Sequence, residues 1–313
     1  MKAIVKFDTG ANKVGYLDIP EPVCGPHSVK IAIKAAAICI TDLHIIDDEY
    51  PWPVGLPLGH EFCGIVVEAG SDVTRFKVGD RVVACMDGGF AKYVVKDEDD
   101  WVFHLPDSIS FEEGALLEPL AAAVNSVQNS SSIHPGDTVL IEGPGVMGLF
   151  ACQAAKLSGA SVIVSGTANG AQRLALAEKL GADRTVNIAS EDLDAAVHQM
   201  TGGKGVDTVI ECSGTQAALD AGIRALRTGG QLTQVGIFGS RATVDLGHLV
   251  YHSKKIVGSI AYDRDTWLRT IRLAAEQKIC LRCFVTDTLP LDDWKTGFEL
   301  ARKKQSLRII LIP

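Results

Sequence analysis

The chain has 313 residues, 47% of them hydrophobic, with 31 glycines; this suits two globular α/β units and excludes a disordered or fibrous protein. Against 38 Asp and Glu stand 30 Lys and Arg, a net charge of −8 that opposes a phosphate backbone, so no nucleic-acid partner is expected. The opening "MKAIVKFDTG" lacks the apolar core of a secretory signal, and no apolar stretch reaches the length of a membrane span. The expectation is a cytoplasmic protein with no membrane partner.

Residues 1–120 carry short strand patterns broken by Gly and Pro: "KAIVKF", "SVKIAIKAAAI", "GIVVEAG", "DRVVAC" and "FAKYVV". They predict a compact, mostly β unit. After about Glu118 the rhythm changes. "TVLIEG" reads as a buried strand, "VMGLFACQAAKLSG" as a helix, "SVIVSG" as a strand and "AQRLALAEKLGA" as a helix. "VDTVIECSG", "ALDAGIRALRTGG" and "QLTQVGIFG" continue the alternation, and "KKIVGSI" adds a strand. Such alternation predicts a doubly wound parallel sheet. The tail, from "DTWLRTIRLAAEQK" to "LRIILIP", reads as helix, loop, helix and a last strand. The eight cysteines are scattered, so free thiols or a metal ligand are expected rather than disulfides. The lone CxxC, Cys280 to Cys283, reads as two ordinary cysteines.

Gly143-Pro144-Gly145-Val146-Met147-Gly148 is a GxGxxG that follows a predicted strand and opens a predicted helix. In that setting the glycines permit a tight turn, close approach of a pyrophosphate, and packing of helix on sheet, with the helix N-terminus facing the phosphate. The second strand ends at Ser165-Gly166-Thr167 with no Asp or Glu to hold a ribose 2′-hydroxyl. Gly166 and Thr167 leave room for a 2′-phosphate that Arg173 could approach, a mild lean to NADP(H) over NAD(H). Cys212, Ser213, Val235 and Gly236, at the ends of later strands, should line the cofactor.

Three segments carry residues of metal chemistry. "AAICITDLHI" holds Cys39, Thr41, Asp42 and His44; "LPLGHEFCGIVVEAG" holds His60 and Glu61; "ALLEPLAAAV" holds Glu118. Cys, His and Glu are suitable zinc ligands, and a catalytic site takes three of them with a fourth position open. With Gly59-His60-Glu61-Phe-Cys-Gly64, Gly70, Gly79-Asp80-Arg81-Val82, Glu118-Pro119 and the GxGxxG, the chain resembles the zinc-dependent medium-chain dehydrogenase/reductase family along nearly its whole length. A Glu at position 118 looks like the sorbitol/polyol and threonine dehydrogenase branch.

The resemblance implies a GroES-like β-rich catalytic domain over 1–123 and 262–313, with a Rossmann domain over 124–261 inserted between its halves. It implies one catalytic zinc on Cys39, His60 and Glu61, with Glu118 ligating directly or through water. It also implies NAD(P)(H) and hydride transfer between the cofactor and a secondary alcohol or ketone, such as a polyol, sugar alcohol or amino alcohol. Thr41 would take the alcohol proton and pass it through the nicotinamide ribose to His44 and water; the catalytic set is thus Thr41, His44, Glu61 and Glu118. Ile40, Ile45, Tyr50, Trp52 and Phe90 are candidates for the substrate pocket. Only Cys85 lies between the GDRV strand and Gly88-Gly89-Phe90-Ala91, so the four-cysteine lobe that holds a second, structural zinc in many family members is missing. A homo-dimer or tetramer stays open. The alternatives are a zinc-free quinone or enone reductase of the same superfamily, and a non-enzymatic nucleotide-binding protein.

Overall fold

The computed structural model describes residues 1–167 and 170–313. The chain forms two compact units, one of Met1–Glu118 with Ile271–Pro313 and one of Pro119–Thr270. The divisions therefore fall at Glu118 and Thr270, where the sequence placed them at 123 and 261.

In the first unit, β1 (Lys2–Lys6) pairs antiparallel with β2 (Val14–Asp18). The ten-residue β3 (Ser28–Ala37) leads into α1 (Ile40–Ile46). β4 (Glu61–Ala69), β5 (Arg81–Cys85), β6 (Tyr93–Asp97) and β7 (Val102–His104) follow, then α2 (Phe111–Gly114) and α3 (Leu117–Gln128), which begins in this unit and continues into the second. β3 and β4 pair antiparallel at very close range: a Cβ at Gly64 would lie 2.1 Å from the Ala32 carbonyl oxygen. Leu58, Phe62, Val66 and Phe90 are buried in the core behind this sheet. After β5 the chain turns at once through Met86 and Gly88, both at positive φ, and Phe90 N–H donates to Leu58 O at 2.8 Å. Asp87 in this turn pairs with the buried Lys96, closing the connection without a lobe.

The second unit holds β8 (Thr138–Glu142), α4 (Val146–Leu157), β9 (Ser161–Gly166), α5 (Ala171–Lys179), β10 (Arg184–Asn187) and α6 (Leu193–Thr201). It continues with β11 (Val206–Glu211), α7 (Gln216–Ala225), β12 (Leu226–Gln234), α8 (Leu246–Tyr251), β13 (Lys255–Gly258) and α9 (Arg264–Ala275), whose last residues belong to the first unit. The six strands are parallel in the order β10-β9-β8-β11-β12-β13. The order reverses between β8 and β11, which opens a ligand crevice at their carboxyl ends. The helix expected to run through "RALRTGG" stops at Ala225.

The returning segment adds β14 (Val285–Pro290) and β15 (Arg308–Ile312), joined through α10 (Trp294–Arg302), to the sheet of the first unit, whose order is β14-β15-β3-β4-β5-β7, with β6 also on β3. The loop expected between the last two helices thus contains a strand. A second correction concerns the cysteines: Cys280 and Cys283 are disulfide-bonded, while the other six are free. Among the described residues no helix is long and apolar enough to cross a membrane.

Candidate active site

Cys39 stands at the N-cap of α1, where its backbone N–H donates to Asp42 Oδ2 at 2.9 Å. His60 is the residue before β4 and Glu61 is that strand's first, so helix start and strand start bring the three side chains together. A ligand atom from each of Cys39, His60 and Glu61 lies within 4.8 Å of the others, and this is the one such group among the described residues. Glu118, in the first turn of α3, is not part of it, although its charge acts on Arg308.

The surroundings fix how each donor faces. His60 Nδ1 lies 3.6 Å from Asp42 Oδ1, and its Nε2 lies 3.8 Å from Glu61 Oε1. Asp42 is fully buried, and its carboxyl faces the imidazole beyond direct hydrogen-bond reach. Sequence reasoning missed Arg308. This buried guanidinium donates through Nη2 to Glu61 Oε1 at 3.1 Å and through Nη1 to the Ile38 carbonyl at 2.7 Å. Its one sequence signal is a cation opening the apolar strand "RIILI".

Electrostatics follow from these contacts. Burial alone would push the Cys39 thiol up, but the charges of His60 and Arg308 outweigh it and hold the thiol below its usual range. Burial disfavours the His60 cation, yet Asp42 and Cys39 raise it well above the usual imidazole. Burial raises Glu61, and Arg308 offsets only part. Glu61 Oε2 and Asp42 Oδ1 are sealed from solvent with no hydrogen-bond partner. Orphaned buried oxygens cost free energy unless something binds them. A low-pKa thiol, an imidazole and a carboxylate with a vacant oxygen form a donor set that suits zinc.

Of the residues expected to move the proton, Thr41 Oγ1 lies 3.7 Å from Cys39 Sγ. His44, one helical turn on and half exposed, has Nδ1 2.6 Å from Glu49 Oε2. Two of the substrate-pocket candidates are corrected: Ile45 and Phe90 have no exposed surface and belong to the core.

The glycine-rich turn behaves as its spacing predicts. Gly143 sits at φ 97°, and a Cβ at Gly148 would lie 2.0 Å from the Gly143 carbonyl oxygen. Gly145 caps α4 with no side-chain partner, and a Cβ there would meet nothing within 4 Å. That space beside the free N–H groups of Val146, Met147 and Gly148 is where a phosphate fits. Alongside lies a cavity of about 610 Å³ whose wall includes Gly143, Gly166, Thr167 and Ser213 of the expected residues. Gly145, Val146, Met147, Gly148, Arg173, Cys212, Val235 and Gly236 are not in its wall. Gly166 is small for a different reason than expected: a Cβ would strike Pro144 at 2.7 Å. The wall also carries Glu142, Glu191, Asp192, Asp194 and Arg224, which the sequence reading did not single out.

A β-rich unit bearing a thiol–imidazole–carboxylate group, joined to a doubly wound unit with a phosphate-binding turn, defines a metal-dependent, dinucleotide-using oxidoreductase. Residues 25–107 match the alcohol dehydrogenase GroES-like domain and residues 146–276 the zinc-binding dehydrogenase domain. The chain is 32% identical to the sorbitol dehydrogenase of Halalkalibacterium halodurans over 343 aligned positions, covering 100% of this chain and 99% of the relative. Among solved structures it is similar to 2R,3R-butanediol dehydrogenase from Bacillus subtilis, with TM-score 0.91, 30% identity, and coverage of 100% and 99%. It is also similar to a dehydrogenase of Sinorhizobium meliloti 1021 assigned to the zinc-binding class and solved bound to NADP, with TM-score 0.89, 30% identity, and the same coverage. The chain belongs to the zinc-type medium-chain alcohol dehydrogenase family. The alignment of 343 positions exceeds the chain's 313 residues, so the sorbitol dehydrogenase carries residues with no counterpart here.

Proposed function

We propose that this protein transfers hydride between NAD(P) and a secondary alcohol or ketone, a polyol, sugar alcohol or amino alcohol, with one zinc held by Cys39, His60 and Glu61. The observation that carries the reading is the convergence of these three donors with a buried, unpartnered Glu61 oxygen. When bound, zinc supplies Lewis acidity toward the alcohol or ketone and the nicotinamide supplies the hydride acceptor or donor.

The chain's own groups do the rest. Asp42 faces His60 Nδ1 and leaves Nε2 toward the donor group, and Arg308 clamps one Glu61 oxygen so that the other is free to bind. Glu118 serves as a direct or water-mediated fourth partner. Thr41 takes the alcohol proton as its own hydroxyl proton is passed toward the half-exposed His44, which hands a proton to water. Gly143, Gly145 and Gly148 bring backbone against the pyrophosphate, with Val146 and Met147 offering N–H groups. Gly166, Thr167 and Ser213 flank the nucleotide. The lean to NADP rests on the missing acid at Ser165–Thr167, on Thr167 and on Arg173, of which Thr167 is in the cavity wall and Arg173 is not.

Without the cysteine lobe the zinc count is one per chain. A homo-oligomer is supported by the edge of β13, unpaired among the described residues, and by the exposed Val250, Tyr251 and Ile260, which flank it in sequence. The test is turnover on a broad alcohol and ketone panel with NAD and NADP, beside metal analysis. Zinc-containing protein that binds NAD(P) but turns over no member of the panel overturns the reading. Full turnover without metal would favour the zinc-free reductases.

A further inference from the structure

α1 is only seven residues long, yet it carries Thr41 and His44 and starts from Cys39. Its C-terminal end is held by cations from two other elements. Arg302 of α10 grips Asp47, the residue that caps the helix, through Nη1 at 2.7 Å and Nη2 at 2.8 Å. Lys6 of β1 is buried; it donates to the Ile45 carbonyl at 3.2 Å and pairs with Asp48. A buried ammonium is costly unless it is paired, so both of these contacts belong to the fold of the turn. Asp48 sits at φ 63°, in the left-handed region, which Asp enters more readily than most residues with a side chain. There the chain reverses. The N–H groups of Glu49 and Tyr50 both close on the His44 carbonyl, at 2.8 and 3.2 Å.

The reversal brings Glu49 back onto the residue five positions before it: Oε2 lies 2.6 Å from His44 Nδ1. Arg302 feels the charge of Glu49, but its guanidinium is taken up by Asp47. An ionised carboxylate only accepts, so the contact puts the imidazole proton on Nδ1. Nε2, on the opposite edge of the ring, is left with a lone pair. We propose that Glu49 is a positioning residue for proton transfer, holding His44 in the tautomer whose Nε2 can receive a proton.

This inference rests on the reading of His44 as the end of the proton path. In the oxidation direction the released proton arrives at Nε2 and makes an imidazolium. Water then takes that proton, Nδ1 keeps its own, and the Glu49 carboxylate is unchanged. The steps run backwards for a ketone. With the other tautomer Nε2 already carries a hydrogen and the path is blocked. Both side chains are about half exposed, which lets the ring reach water. An exposed pair of this kind adds little to stability, so the contact acts on the ring's proton rather than on the fold.

The tautomer is read from long-range proton–nitrogen correlation spectra of protein labelled at its histidine nitrogens, at a pH where the His44 ring is neutral. His44→Asn identifies the His44 signals, and circular dichroism checks the folding of each variant. Wild type should carry the proton on Nδ1. Glu49→Ala and Glu49→Met, which offer no acceptor, should move it toward Nε2. In both variants kcat for alcohol oxidation should fall about tenfold while KM stays within about twofold of wild type. A wild-type His44 protonated on Nε2, a tautomer unchanged by both variants, or an undiminished kcat in them overturns the proposal. Full turnover in His44→Asn overturns instead the reading of His44 as a relay, on which the spectra do not depend.

Discussion

Replacing Glu142 with Gln should stabilise the unliganded protein, and the gain should grow with pH. In the unfolded chain the carboxyl has its ordinary value of 4.5; in the folded protein it lies at about 9. Between those values the folded state binds a proton that the unfolded state does not, so stability falls as pH rises. At pH 7 the folded state's hold on that proton costs about 3 kcal/mol, and near pH 5 less than about 1 kcal/mol. Gln keeps the shape, cannot ionise, and escapes this cost. For a unit of this size about 3 kcal/mol corresponds to a rise in melting temperature of roughly 6 to 12 °C. The assay is thermal unfolding of wild type and Glu142→Gln, without nucleotide, at several pH values from about 5 to 8. A difference in melting temperature that does not widen over this range refutes the reasoning, because the carboxyl would then be ionised in both states.

Three further substitutions bear on the sites. His60→Ala should abolish turnover and lower bound zinc; full activity in a metal-free His60→Ala protein would remove the metal mechanism. Arg308→Met leaves Glu61 as an unpaired buried acid and should cost about 3 to 5 kcal/mol of stability, read by denaturation. Wild-type stability in that variant would show that the pair is not a structural support. Gly148→Ala drives a Cβ into the Gly143 carbonyl and should cost about 1 to 3 kcal/mol of stability. It should also weaken NAD(P)H binding about tenfold or more by fluorescence titration. An unchanged dissociation constant would mean that the turn does not hold the phosphate.

What the sequence made legible was local. GxGxxG could be read because strand, turn and helix are contiguous, and the close Gly143–Gly148 approach is a short-range steric fact. Cys39 and Asp42 are three residues apart and share one helix start, while His60 and Glu61 are adjacent at one strand start. The unread parts depend on distant packing. Arg308 is 247 residues from Glu61 and reaches it only when the returning segment lays β15 beside β3. Glu142 ends an apolar strand before a glycine turn and so resembles a solvated strand end; only the packing of α7 buries it. Gly166 was understood as space for a phosphate, when its contact is Pro144 across the turn. β14 was hidden because its weak alternation is completed by pairing with β15, across an intervening helix. The Cys280–Cys283 bond escaped because a CxxC spacing permits pairing without requiring it.

The account's central claim is that a zinc at Cys39, His60 and Glu61 makes this chain an alcohol dehydrogenase. The most direct test follows NAD(P)H formation from secondary alcohols and polyols before chelation, after chelation, and after zinc is returned. Turnover should disappear with the metal and return with about one equivalent of zinc per chain. Undiminished turnover in verified metal-free protein would contradict the account.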